Sequence, residues 1–534
     1  MRRQRRREVE RGVGPEKETA LKWVDDNRAR LSAFQAEIWA YAEPAFREYR
    51  SARAYRDLLR GEGFDVEEGS GEMPTAFAAQ FGSGRPVLGT YAEYDAVPEN
   101  SQQAVPYRAP RAKMHPWAAG HTDPHSALGV AGLTGVLAAK AAMRAHGLRG
   151  TLRFFGEPAE KVCGSKPVHA AKGYYDGADA YVAFHPHACN TVAWETHCGA
   201  YWSAVVSFEC PEPEKWLDPS LLPTAGHAHT TARAPGALDA VCLMYTTAKY
   251  LKEAMFPRTG TWTLNEFMMV GGQCTADNLP PRFAAIQYAW RSPSLAIQER
   301  IAKVLENAAA QTALATGCRA DIRWITKTRV GLPNLTIADL VYRNLELVGP
   351  PTWDEGAREF GRAIQRTLGL GAMDDPFTEL AQRLTSPKEY EATLRAALPP
   401  WQTHSTSDDY VEYTWHAPTA RLFVGRPRLR SPRPDYEYPA WTANALGGMP
   451  ACIDPLTFTA GKTIGASLVE LLTRPDELLR ARREFEGRTG GGVGGSDWVP
   501  PLLSRTFAPP VELRWPEYIT TERGEEWWIP TPLG

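Results

Sequence analysis

Between residues 76 and 187, short apolar runs closed by Gly or Pro alternate with one long helical stretch, and this alternation confines the chain to a layered α/β fold. Ala76 to Phe81 and Val87 to Tyr91 read as buried strands. Ser126 to His146 carries Ala, Leu and Val at helical spacing and is stopped by Gly147 and Gly150. Thr151 to Phe155 is the next strand and Ala180 to Phe184 the one after. Polar groups gather at the strand exits: Glu93 and Asp95, then Glu157 to Lys161, then His185-Pro186-His187. In an open α/β sheet, ligands bind beyond the carboxyl ends of the strands. The expected fold class is therefore α/β, a layered catalytic domain with a mixed sheet flanked by helices.

The chain divides around this unit. Residues 1–15 form a basic, solvated arm, and 16–200 the first part of the catalytic domain, opened by amphipathic helix over Glu16 to Arg60. From 201 to 330 the pattern changes to alternating strands (Tyr201 to Phe208, Phe283 to Trp290) and helices (Ala237 to Ala254, Leu295 to Ala313), an inserted α+β domain. Residues 331–485 complete the catalytic domain, with Lys462 to Leu472 as its last core helix. Residues 486–534 hold a Gly-rich flexible hinge (488–495), then a tail of Trp and Pro that suits a strap laid on the body or on a neighbouring subunit.

Composition removes whole classes. A formal charge of −2 leaves no basic field for nucleic acid or an anionic membrane. No apolar run reads as long enough to span a bilayer. Eight cysteines without a CxxC pair indicate neither a zinc knuckle nor a disulfide framework, and the expected location is the cytoplasm.

The chemistry concentrates in Gly120-His-Thr-Asp-Pro-His-Ser126, just before the long helix. Two imidazoles and a carboxylate on irregular backbone turn readily to one point, and that donor set suits zinc or manganese. Taken alone, Asp123 or Ser126 reads equally well as a cap of the helix. Two more strand exits, Glu157-Pro-Ala-Glu160-Lys161 and His185-Pro186, aim at the same edge and favour a metal centre with an acid beside it. Cys163 is a weak candidate nucleophile, because such a centre already activates water.

These motifs resemble those of the metallopeptidase and amidohydrolase superfamily of aminoacylases, carboxypeptidase G and indole-acetyl-amino-acid hydrolases, and are most similar to the p-aminobenzoyl-glutamate hydrolase group. The resemblance spans roughly residues 20–480. It rests on Gly120 to His125, with Asp123 where the group has a bridging cysteine, and on Pro158-Ala-Glu160-Lys161, His185-Pro186, Gly271-Gly272 and Asn278-Leu-Pro-Pro281. It implies metal binding by Asp123, His125 and His185, and Glu160 as general base. His227 (or His229), Asn278 and Arg291 would polarise the scissile carbonyl and hold a substrate carboxylate. Read from the residues alone, Arg291 is equally a surface ion-pair partner and Asn278 a turn residue. The insertion would be a lid and dimerisation domain, making the protein a homo-oligomer.

Two departures stand out. Lys161 replaces the family's second glutamate, and Asp454 aligns with its C-terminal histidine. An ion pair of Lys161 with Asp454 would leave one firm metal site, manganese or zinc, and a doubtful second; alternatively Asp454 and Glu157 would still bind a second ion. Ser407 to Glu412 matches an active-site loop, or is a run of solvated acids. The expected activity is metal-dependent hydrolysis of the amide of a small N-acyl amino acid or aryl amide. The alternatives are hydrolytic deamination of an amino-substituted aromatic and a metal-free binding protein.

Overall fold

The computed structural model describes residues 14–112, 114–211, 236–259, 261–272 and 281–513, together with the backbone of a C-terminal hairpin, Glu517–Thr521 and Gly524–Trp528. Its larger sheet is built from β1 (Asp65–Glu68), β2 (Phe77–Ser83), β3 (Val87–Ala92), β4 (Gly150–Gly156), β5 (Ala180–His187), β6 (Thr191–Val192) and β11 (Thr419–Gly425), in the order β1-β2-β4-β3-β5-β11-β6. The middle four strands, β4-β3-β5-β11, are parallel, and the edge pairs are antiparallel. The chain leaves β3 for β4 on one side and then returns to β5 on the other. Their carboxyl ends therefore splay apart at β3, which creates a crevice.

One face of this sheet is covered by the helix His125–His146, packed along the helix Pro450–Thr473. Small residues allow the close approach. A Cβ on Gly135 would lie 2.5 Å from Ile464, and one on Gly461 would lie 2.5 Å from Thr134. The expectation that no segment is long and apolar enough for a membrane needs correction: by length and composition His125–His146 is, with a mean hydropathy of 1.4. That apolar character serves packing, since 94% of its most apolar 18-residue window is buried inside the fold.

The smaller sheet comprises β7 (Ala200–Glu209), β8 (Thr263–Val270), β9 (Phe283–Ser292) and β10 (Arg319–Lys327), antiparallel in the order β10-β7-β9-β8. Helices Ala237–Met255 and Leu295–Thr316 pack on one face around Phe208, Tyr288 and Trp290. The opposite face meets the loop after β4, where the Thr326 hydroxyl donates to the Cys163 carbonyl at 2.7 Å.

Three expectations change in detail. The opening helical region is three helices, Pro15–Asp26, Arg28–Tyr41 and Tyr49–Gly61. The last long core helix begins at Pro450, and a further helix, Pro475–Thr489, follows and buries Ala481 and Phe485. The Gly-rich segment is no open hinge. Gly490 takes φ +68°, the left-handed cap that ends this helix, and the Asp497 amide donates back to the Thr489 carbonyl at 3.0 Å. Beyond it the chain lies on the body: the Trp498 indole donates to the Trp415 carbonyl at 2.6 Å, and Leu503 and Phe507 pack beside Phe46 and Val168.

Candidate active site

The site forms where β3, β4 and β5 end. Leaving β4, the backbone turns sharply through Ala159 (φ +58°) and Cys163 (φ +50°), left-handed conformations that cost a non-glycine residue energy and persist only when neighbours hold them. Here the holder is Glu48, which is fully buried. One of its carboxylate oxygens accepts from the Ala159 amide at 2.7 Å and the other from the Thr75 hydroxyl at 2.9 Å. The short helical turn between the two strained residues presents Glu160 and Lys161 to the crevice.

Opposite this turn, the first residue of the helix His125–His146 is fixed by Asp95. One Asp95 oxygen lies 2.7 Å from His125 Nδ1, and the other accepts from the Lys161 amide at 2.8 Å. One carboxylate beyond β3 thus positions both the imidazole and the β4 loop. With Nδ1 committed, Nε2 of His125 faces the site. His185 is oriented in the same manner: its Nδ1 lies 2.7 Å from the Pro186 carbonyl and leaves Nε2 free to act as an acceptor or ligand.

The Lys161 ammonium lies among these groups. Nζ is 2.7 Å from Asp123 Oδ2, 3.0 Å from Glu160 Oε2 and 3.0 Å from His125 Nε2. Burial opposes its charge, but the carboxylates of Asp123 and Glu160 outweigh that and hold its pKa well above the ordinary lysine value. In return Asp123, whose burial would raise it, is held well below the usual carboxylate range by Lys161 and His185.

A second ionic layer lies beneath. Lys166 Nζ is 2.7 Å from Glu93 Oε1 and 2.7 Å from Asp409 Oδ1, with all three side chains fully enclosed. Burial raises Glu93 to about 7, against the pull of Lys166 and His125. Asp408 pairs with Arg421 at 2.5 Å, and that guanidinium stacks 3.9 Å above the Tyr410 ring.

Among the described residues four sets of groups converge closely enough to share one ion, and two of them include His125: Glu93, His125 and His185, and Asp95, His125 and Glu160. The residues suit a cation in the first set. Glu93 Oε2 and Asp123 Oδ1 are buried without a hydrogen-bond partner, and His185 Nε2 lies 3.8 Å from Asp123 Oδ2. His125 Nε2, common to both sets, already contacts the Lys161 ammonium, and in the second set Glu160 does as well.

Of the residues singled out from sequence, the structure brings together Asp123, His125, Glu160 and His185. Arg291, on β9, stacks 4.7 Å over the Tyr201 ring near Cys163. His227 and Asn278 lie outside the described residues. Asp454 must be reassigned, and with it the Lys161–Asp454 pair. The helix from Pro450 turns Asp454 toward Arg28, Ser32 and Asp354, while Lys161 takes Asp123 and Glu160 as its partners. Glu157 is equally committed elsewhere. It accepts from the hydroxyls of Tyr175 and Tyr413, both at 2.7 Å, and lies 2.9 Å from His169 Nδ1. Cys163 is buried and its thiol is pushed well up, so it is a poor nucleophile.

Sequence reasoning passed over Glu48, Lys166 and Arg421. Lys166 follows Glu160 by six residues, and its charge at the start of an otherwise buried helix was the available signal. Arg421 sits in the apolar run of β11, and a charge within such a run was its signal.

A parallel sheet whose carboxyl edge gathers imidazoles, carboxylates and a fixed ammonium around one crevice defines a hydrolytic enzyme. Comparison with known proteins agrees. Residues 89–366 match the model of peptidase family M20/M25/M40, and the chain belongs to that family, as a hydrolase acting on C–N bonds. It is 27% identical over 479 residues to a component of the p-aminobenzoyl-glutamate hydrolase of Escherichia coli, spanning 87% of this chain and 93% of that protein. It is 25% identical over 355 residues to a mouse Xaa-Arg dipeptidase, spanning 62% of this chain and 72% of that protein. Among solved structures, an aminobenzoyl-glutamate utilization protein from Klebsiella pneumoniae shares the fold at a TM-score of 0.51 and 14% identity, over 83% of this chain and 98% of that one. The resemblance drawn from the motifs is thereby confirmed.

Proposed function

We propose that this protein hydrolyses the amide bond of a small N-acyl amino acid or aryl amide of the aminobenzoyl-glutamate type. The observation that carries the reading is the Glu160 carboxylate, presented by a strained turn into the crevice and placed within reach of His125 and Lys161. Glu160 takes the proton of the attacking water and passes it to the leaving amine. Lys161 holds Oε2 of Glu160, leaving the second oxygen for that exchange. Arg291 is suited to grip a substrate carboxylate.

His125, His185 and Glu93, with Asp123 beside them, would hold one divalent cation, manganese or zinc. When bound, it polarises the carbonyl and lowers the pKa of water. Lys161 supplies the other positive charge, a reading supported by its contacts with Asp123 and Glu160.

The protein works as a homodimer through the edge strand β8 and the adjoining helix Ala237–Met255. Supporting this, Phe267, Met268, Leu243 and Tyr250 are exposed there. The cytoplasm suits the chain, since all seven described cysteines are free thiols.

The test is Glu160→Gln. Turnover of aminobenzoyl-glutamate should fall by about 10²–10⁴-fold, the usual worth of a general base, while fold and metal content persist. Retained activity would remove Glu160 from this role.

A further inference from the structure

We propose that the segment Trp498 to Leu513 is a brace that holds the Glu160 turn in its working position, which makes Val511 and Leu513 positioning residues for catalysis. The proposal rests on the amidohydrolase reading above for its effect on turnover, and deepens that reading by naming what fixes the base.

The residues of this segment suit a brace. Pro500-Pro501 and Pro509-Pro510 fix φ at four positions, so little backbone freedom is left to lose on docking. Between and beyond them stand the apolar residues Leu502, Leu503, Phe507, Val511 and Leu513. Leu502 and Leu503 are neighbours in sequence but take different partners. Leu502 packs against the core of the smaller sheet and its helices, whereas Leu503 joins the cluster of Phe46, Met73 and Ala159 on the body.

Hydrogen bonds and an ion pair fix the path. Near the start, the Val499 carbonyl accepts from Arg329 Nη1 at 2.9 Å, two residues past the end of β10. Arg329 is itself buried and paired with Glu412 at 2.7 Å. Further on, Arg323 of β10 donates to the Ala508 carbonyl at 3.3 Å and pairs with Glu512 at 2.6 Å. At the end, the Leu513 carbonyl accepts from Arg47 at 3.2 Å. The segment is thereby tied to the smaller sheet and to the body.

Its far end lies behind the catalytic turn. Val162 closes the short helical turn that carries Glu160 and Lys161, and it packs in two apolar clusters at once. One cluster holds Ala159 with Phe507 and Val511. The other holds Val205, Met269 and Ile325 of the smaller sheet with Leu513. The turn is thus wedged between the segment and the smaller sheet. Glu48 and Thr326 secure its two strained residues through backbone atoms only. Val162 is the side chain through which its middle is backed. A displacement of about 1 Å at a reacting group costs on the order of 10²-fold in rate, so this backing bears on the chemistry.

Hydrogen exchange followed by mass spectrometry reads the turn directly, in the peptide spanning 157–165. In Val511→Asp with Leu513→Asp, two carboxylates replace apolar contacts, and exchange there should quicken about tenfold or more. Exchange in the core helix Pro450–Thr473 should stay unchanged, which separates a displaced turn from a weakened fold. The kcat for aminobenzoyl-glutamate should fall about tenfold or more with KM within about twofold, because the base acts in the transition state. Val511→Ile with Leu513→Met keeps the apolar contacts and should restore both readouts. Arg323→Gln decides the question if the first pair of substitutions prevents folding. It cuts only a part-exposed link to the segment, and exchange at 157–165 should quicken about threefold. Wild-type exchange at the turn in these variants overturns the brace, as does equal quickening in the core helix. A faster-exchanging turn with unchanged kcat overturns its part in catalysis. If wild type cleaves no amide, the hydrolase reading fails separately, and exchange still decides whether the segment holds the turn.

Discussion

Lys161 and Lys166 stand five residues apart, one in the turn after β4 and the other at the start of the helix Lys166–Lys172, and each lies between two carboxylates, yet their surroundings differ. Lys166 and its partners Glu93 and Asp409 are wholly enclosed. Lys161 keeps 22% of its side chain exposed, and its partners include the proposed base and an imidazole. The inner triad ties the strand exit of β3 to the 407–412 loop. The outer lysine lines the crevice and contacts groups that do chemistry. An enclosed ion pair is expensive to break because the partner is stranded without water, whereas a pair open to solvent is re-solvated. The inner lysine is therefore read as structural and the outer one as functional.

The strongest way to break this contrast is Lys166→Met. Stranding Glu93 and Asp409 should cost about 3–5 kcal/mol of stability, measured by urea unfolding. A loss below about 1 kcal/mol would show that the inner triad is not structural.

Acid titration sharpens the same contrast at another enclosed cluster. Although burial opposes it, His169, Lys166 and the Tyr175 hydroxyl hold Glu157 at about 2, against an ordinary value of 4.5. A depressed carboxylate stabilises the fold above its unfolded pKa. This contribution, roughly 3 kcal/mol, is complete above about pH 5 and is lost as pH falls from there toward 2. Unfolding followed across that window should show a component that disappears in Glu157→Gln. An identical pH profile in that variant would remove Glu157 as its source.

The smallest stability effect is expected at Lys161. Lys161→Met should cost about 1 kcal/mol or less, given its access to water. Its signature is stoichiometric: wild type should bind one tightly held ion per chain and Lys161→Glu two, measured by elemental analysis at matched free metal. Two ions on the wild-type chain would show that the ammonium moves aside for a metal.

Much of this was legible in the order of residues. The period-2 and 3.6 patterns marked the strands and the central helix, because burial of one face imposes those spacings whatever the partner. Asp123, His125, Glu160 and His185 were legible because each follows a strand or starts a helix at the carboxyl edge. Strands β8 and β10 were missed. Both are largely exposed and neither shows a clean alternation of apolar and polar residues.

What the sequence determined by itself was therefore local: the layered α/β class and the clustering of imidazoles and carboxylates near strand ends. Only the tertiary structure decided the long-range pairings. Asp454 faces Arg28 because of the rotation of its helix, 293 residues away in sequence from the lysine it was matched with. Lys166 meets Asp409 across 243 residues. A charge in sequence is neutral about its partner, since attraction depends on distance and on exclusion of water, and both are set when the sheet closes.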